Sequence, residues 1–231
     1  MESTIQNDIL PKLKRGVFNK KDVVQKSLHP QHTGYNIGFF ANKIISLFNE
    51  SIDVKKKSRD FIISDINSSA ELIINAFKNG KKVLVCGNGG SAADAQHFVA
   101  ELIMRFEKNR APLPAIALTT DSSVLTACSN DFGYECVFEK QVQALGQEGD
   151  VFIGISTSGN SPNVINAVKV AKQKNIKTVL FLGKDGGKLK NMACDSNIIV
   201  PSNITARIQE VHITIIHILC NLIESELFKE E

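Results

Sequence analysis

KVLVCGNGGSAADAQHFVAEL, residues 82–102, decides the fold. KVLVC (82–86) is a short, continuously apolar run of the kind buried on both faces of a sheet. A glycine-rich turn follows, and then a segment that predicts a helix from about Ser91 to Phe106. The same alternation recurs downstream. PAIAL (114–118) reads as a second strand with helical segments after it to about Leu145. VFIGIS (151–156) is a third strand, with a helix from about Pro162 to Lys174, where proline at the first helical position costs no hydrogen bond. TVLFL (178–182) and SNIIV (196–200) complete the strands, and a long helix covers about Thr205 to Phe228. Short apolar strands separated by helices predict an α/β protein, with a doubly wound, five-stranded parallel sheet flanked by helices, flavodoxin-like.

Before the first strand the pattern is helical only. Phe40, Ile44, Leu47 and Phe48 have helical spacing, and a second amphipathic helix is predicted from Ser58 to Lys78, with Gly80 as its cap. These predict an N-terminal helical hairpin over residues 36–80, within one domain of residues 36–231. Residues 1–35 show no sustained periodicity and read as an irregular N-terminal extension. HPQH (29–32) holds two histidines around a proline with no carboxylate beside them, which suits a loop better than a metal site.

The bulk properties exclude several classes of function. The chain has 231 residues, 43% hydrophobic and 22% charged, ordinary for a globular protein. No apolar run approaches the ~18–20 residues needed to span a bilayer, so no membrane partner is expected. The N-terminus lacks the apolar core of a signal peptide, and the five cysteines contain no C-x-x-C pair. They read as reduced thiols of a cytoplasmic protein. The net charge of +3 resides in residues 1–34, which suits a solvated tail and leaves no dense basic face for nucleic acid.

In an open parallel sheet, ligands bind at the carboxyl ends of the strands, where the strand order reverses. With the common order 2-1-3-4-5, CGNGGSAAD (86–94) and ISTSGNSPN (155–163) become neighbours there. Both lead into helix N-termini, whose free N–H groups and dipole favour an anion. Ser156, Thr157, Ser158 and Ser161 add hydroxyl donors, so the pair of loops predicts a phosphorylated ligand. Either loop alone reads equally well as a capped turn. The first loop lacks the lysine of a nucleotide P-loop and the spacing of a dinucleotide fingerprint. His97 and Glu101, at i and i+4, share a helix face and suit either a divalent metal or a surface hydrogen bond. In the last helix His212 and His217 are five apart, so at most one should be functional.

CGNGGSAADAQHFVAEL, LTTDSSVLTACSNDFGYE, GISTSGNSPNV, GKDGG and TARIQEVHITIIH occur here in the order found in phosphoheptose isomerases, a branch of the sugar isomerase (SIS) domains. The resemblance covers about residues 40–228. It implies conversion of sedoheptulose 7-phosphate to a manno-heptose 7-phosphate, toward nucleotide-activated heptoses of bacterial surface polysaccharides such as lipopolysaccharide and capsule. It implies one Zn²⁺ per subunit on His97, Glu101, Gln209 and His217, with Glu101 and His217 as catalytic base and acid. It places substrate on Asn88, Gly89, Gly90, Glu101, Asn130, Asp131, Ser156, Thr157, Ser158, Ser161 and Gln209. It also implies a homotetramer with active sites at subunit contacts, giving the hairpin a role.

The chemistry suits the residue types. An aldose–ketose isomerisation needs a carboxylate base, an acid such as imidazole, and positive charge near the enediolate oxygen. A carboxylate bound to zinc is a weaker base, a tension in the double role of Glu101. Gln209 and His217 lie ~12 Å apart along a regular helix, so both reaching one ion needs the metal between them, an irregular first turn, or two subunits. The non-catalytic alternative is a replication-initiator-associating protein of the same superfamily, where the catalytic Glu and last His tend to be replaced. Glu101, His217 and Ser158 are all present here, which favours the enzyme. A SIS-type transcription regulator would need a basic helix-turn-helix, which residues 1–80 lack, and the metal-ligand set argues against an isomerase of six-carbon sugar phosphates.

Overall fold

A computed structural model describes residues 37–229. In chain order these form α1 (Ile37–Lys78), β1 (Val83–Gly87), α2 (Gly90–Ile103), β2 (Ala115–Ala117), α3 (Ser122–Phe132), a 3₁₀ turn (Tyr134–Cys136) and α4 (Val137–Leu145). Next come β3 (Val151–Ser156), α5 (Pro162–Gln173), β4 (Lys177–Gly183), α6 (Gly187–Lys190), β5 (Ser196–Val200) and α7 (Thr205–Leu227). The expected boundary at residues 35/36 and HPQH lie outside the described residues. By compactness the chain divides between Lys43 and Ile44, inside α1; the first unit contributes only the start of that helix here, and everything else belongs to the second.

All five expected strands are present, parallel throughout, in the order β2-β1-β3-β4-β5. Successive side chains of a strand point to opposite faces, which explains why both must be apolar here. Val83, Val85, Ile153, Ile155 and Phe181 face one core, packed with Ile73 of α1, Phe98 of α2 and Ile215 of α7. Leu84, Cys86, Phe152, Leu180 and Leu182 face a second core, packed with Phe138 of α4 and Val164 and Val168 of α5. Both layers are therefore buried, as the uninterrupted apolar strands require. Among the described residues no helix is long and apolar enough to cross a membrane. All five cysteines are free.

The N-terminal helical hairpin is not formed. The two predicted helices are one, the 42-residue α1. NESIDVKKKSRD (49–60), which joins them, holds neither glycine nor proline, so nothing interrupts the i to i−4 hydrogen-bond ladder. Only part of α1 contributes to the core, with Ile62, Ile66, Ala70, Ile73 and Ala76 buried. Ile44, Ile45, Phe48, Ile52, Phe61 and Ile63 are exposed, Phe61 at 74%. α2 is also shorter than expected, ending at Ile103 instead of Phe106. The Leu102 carbonyl receives Arg110 Nη1 at 2.7 Å and the Leu113 N–H at 3.1 Å, while the Phe106 N–H turns to Glu224. The helical bond between Phe106 and Leu102 is thereby replaced.

His212 in α7 is fully buried, and its Nε2–H donates to the Leu182 carbonyl at 3.0 Å, leaving Nδ1 without a partner. Burial pushes its pKa down from 6.5 to about 4. Between those values the unfolded chain binds a proton that the folded chain refuses. Stability is therefore lost as pH falls from about 6.5 to about 4, by up to about 1.4 kcal/mol per unit. Urea titrations at pH 7 and 4.5 should show a clearly smaller pH-dependent loss in His212→Gln than in the wild type. Equal losses would mean that His212 does not govern acid stability.

Candidate active site

The loops after β1, β3 and β4 meet at the carboxyl edge of the sheet, where β1 lies between β2 and β3 and the order reverses. The loop after β3 is bent by Gly159, at φ +65°, where side chains are disfavoured. A Cβ at Gly159 would lie 1.9 Å from the Gly186 carbonyl oxygen, so the loop after β4 is seated directly on it. Leu189 N–H donates to the Gly159 carbonyl at 3.0 Å. Asn160 bridges both turns, donating to the Ser158 carbonyl at 2.9 Å and accepting from the Lys188 N–H at 3.1 Å. GKDGG, a motif with no assigned task in the sequence, thus buttresses the hydroxyl loop.

Within that loop Ser156 Oγ and Ser161 Oγ are 2.9 Å apart, and Ser158 Oγ accepts the Asn160 N–H at 3.2 Å. Ser161 occupies the N-cap of α5 but makes no side-chain capping bond, so its hydroxyl is not consumed by the helix. Thr157 and Ser158 are half-buried at the rim. The arrangement is a cup of small hydroxyls over a helix N-terminus, which suits an anion.

The two predicted loops are tied together. Asn88 and Asn163 pair reciprocally, each amide nitrogen 2.9 Å from the other's oxygen. Asn163 Oδ1 also accepts the Val164 N–H at 3.0 Å, which fixes which way both amides face. Tyr134 Oη donates to Asn88 Oδ1 at 3.1 Å, bringing the turn after Asn130 and Asp131 to the same loop. Asn130 Nδ2 itself bonds Asp131 Oδ1 at 2.8 Å, in an exposed pair. Gly89 caps α2 at φ +57°. At Gly90 a Cβ would fall 2.3 Å from Gln209 Nε2, so the α7 glutamine lies directly over this loop and would have to shift its amide for any larger residue beneath it.

His97 and Glu101 stand on one face of α2, with His97 Nε2 3.1 Å from Glu101 Oε1. His217 Nε2 of α7 approaches His97 Nε2 to 3.2 Å, so at most one of these nitrogens carries a proton. Residues 120 positions apart in the chain are thereby joined. A tetrahedral zinc at about 2.0–2.1 Å from each nitrogen separates its ligands by about 3.3 Å, close to both spacings. Two imidazoles and a carboxylate also suit zinc chemically. Among the described residues, however, no group of three or more His, Cys, Asp or Glu is preassembled around one point; the donors form two pairs sharing His97. Gln209, in the regular α7, lies against Gly90. One turn before His97, burial pushes Asp94 up to about 6 against the pull of that histidine.

Sequence reasoning missed Tyr134 and Asn163, whose roles depend on side chains reaching across loops. It also missed Arg110 and Glu224, which resemble ordinary surface charges in the sequence. Their side chains are 2% and 3% exposed, paired at 2.9 Å. Burial alone would raise the Glu224 carboxyl, but the N–H donors of Lys108, Phe106 and Glu107 and the Arg110 guanidinium hold it below its usual range. Phe106 packs against the His217 ring, centroids 5.7 Å apart.

The family profile described as SIS domain matches residues 48–183. A phosphoheptose isomerase of Clostridium acetobutylicum is 54% identical over 192 residues, spanning 82% of this chain and 97% of the relative. The solved phosphoheptose isomerase of Neisseria gonorrhoeae superposes with a TM-score of 0.76 at 47% identity, over 80% of this chain and 99% of its own. That of Francisella tularensis gives 0.78 at 43%, over 80% and 98%. These likenesses favour the enzyme over the non-catalytic alternative. Matched by the family profile over most of its length, and by named relatives at this identity over four fifths of it, the chain belongs to the phosphoheptose isomerases of the SIS-domain family.

Proposed function

We propose that this isomerase converts sedoheptulose 7-phosphate to glycero-manno-heptose 7-phosphate, with Glu101 as the base and His217 as the acid. The observation that carries this reading is the approach of His217 to the His97–Glu101 pair, across 120 residues of chain. The Glu101 carboxylate takes a proton from C1 of the ketose and returns it to C2 of the aldose. His217 moves a second proton from the oxygen on C1 to the oxygen on C2, so the net change is one hydrogen moved between neighbouring carbons and one between their oxygens. Ser156, Thr157, Ser158 and Ser161 grip the phosphate, which sets the distance from handle to reacting carbons. Asn88, Gly89, Gly90, Asn130, Asp131 and Gln209 line the path between them in this reading. His97, Glu101, Gln209 and His217 would hold the Zn²⁺, which when bound would supply positive charge for the developing oxyanion.

The exposed apolar residues of α1 support self-association, because a run of this size left in water is costly unless a partner covers it, and the homotetramer implied by the resemblance is the assembly this reading adopts. Five free thiols support a cytoplasmic compartment.

The test is direct. Purified protein incubated with sedoheptulose 7-phosphate should accumulate an aldoheptose phosphate, and a chelator should suppress it. Metal-replete protein that turns over nothing would overturn the reading. A second measurement addresses the cup: Ser158→Ala should raise KM about tenfold, as expected for losing one hydrogen bond to a charged group, with kcat changed less than about threefold. A kcat loss exceeding the KM change would place Ser158 in the chemistry.

A further inference from the structure

We propose that Arg110 and Glu224 are positioning residues that hold Glu101 and His217 in register for proton transfer. The proposal rests on the base and acid roles given to those two residues above. Glu101 sits in the last turn of α2, where the final carbonyls have no helical partner and fraying is the default. Arg110 removes that freedom. Its Nη2 donates to the Glu101 carbonyl at 2.7 Å and its Nη1 to those of Leu102 and Ala111 at 2.7 and 3.1 Å. The planar fork therefore grips the backbone of the base itself, and a positive charge at a helix C-terminus also complements the dipole.

Glu224 holds the other side. It accepts from Arg110 Nε and the Phe106 N–H on Oε1, and from the Glu107 and Lys108 N–H groups on Oε2, all at 2.9–3.0 Å. It belongs to α7, two turns beyond His217 on the same side of the helix. Through Phe106, the segment it pins presses on the His217 imidazole. One ion pair thus connects the backbone of the base, the ring beside the acid, and the helix that carries the acid. Four of the five N–H donors of Arg110 are used and each Glu224 oxygen accepts two bonds, so the geometry of the pair is narrowly determined.

Lysine keeps the charge at position 110 but cannot reach both the α2 carbonyls and Glu224. Arg110→Lys should therefore lower kcat about 100-fold, the scale of an ångström of misplacement, with KM within about threefold. The primary deuterium isotope effect with substrate deuterated at C1 should rise, because a displaced base makes proton transfer limiting. A purely structural residue would lower the folded fraction and leave both quantities unchanged per folded molecule; that result, or a raised KM with wild-type kcat, overturns the proposal. Should Arg110→Lys fail to fold, Phe106→Leu decides, since it leaves the ion pair intact. A kcat reduced about tenfold supports the proposal, and a wild-type kcat overturns it. Glu101→Gln run alongside separates the two readings. If it stays active, the assignment of the base fails. If it is inactive while Arg110→Lys retains full kcat, the positioning role alone fails.

Discussion

Glu101→Gln should reduce kcat by about 10³-fold, or about 4 kcal/mol of barrier, while KM changes little. Glutamine preserves the size of the side chain and an oxygen that can still meet His97, 3.1 Å away in the wild type, but it cannot accept a proton from carbon. Glu101 is only partly buried and its backbone carbonyl, held by Arg110, is untouched by the change. The variant should therefore melt at the wild-type temperature. Steady-state kinetics with sedoheptulose 7-phosphate, beside a metal analysis of the purified variant, checks the result. Metal-loaded variant protein with a kcat within tenfold of the wild type would remove Glu101 from the role of base.

Gly159→Ala should be the most damaging substitution of a single small residue. Two effects add. The left-handed φ of +65° costs a non-glycine residue about 1–2 kcal/mol, and the new Cβ would meet the Gly186 carbonyl at 1.9 Å. That neighbour is backbone, so it cannot rotate away; the two turns must part. Separation would break the Leu189-to-Gly159 bond and the Asn160 bridge, and with them the shape of the hydroxyl cup. We expect a loss of about 2–4 kcal/mol, a drop of about 5–15 °C in melting temperature, and KM raised at least as strongly as in Ser158→Ala. A melting temperature within about 2 °C of the wild type, with unaltered KM, would show that the two loops are not locked.

The two expectations draw on different levels of information. VFIGIS (151–156) coincides with β3 to the residue, because a doubly buried strand is a largely apolar run bounded by polar turns; SNIIV (196–200) coincides with β5, an edge strand buried only at alternate residues. The hydroxyl loop is legible for a similar reason. Its small donors follow such a strand and lead into a helix, and the loop after β1 does the same, so two anion-favouring ends converge. The hairpin is not legible, because two apolar stretches with a polar segment between them fit either two helices or one. Only the absence of a breaker in NESIDVKKKSRD favours one. The i, i+4 pairing of His97 with Glu101 is also readable, being a local property of a helix.

The sequence by itself therefore determined the five strands and their order along the chain, the parallel sheet, and the character of the loops at its carboxyl edge. These follow from periodicities of 2 and 3.6 residues and from turn chemistry, all of which act over a few residues. Only the tertiary structure decided that His217 meets His97, that Gln209 lies over Gly90, and that Gly159 is pressed against Gly186. It alone turned Arg110 and Glu224 from two charges 114 positions apart into a buried clamp on the Glu101 backbone. Contacts at such separations depend on how helices pack against the sheet, and no local pattern encodes the resulting distance between two side chains.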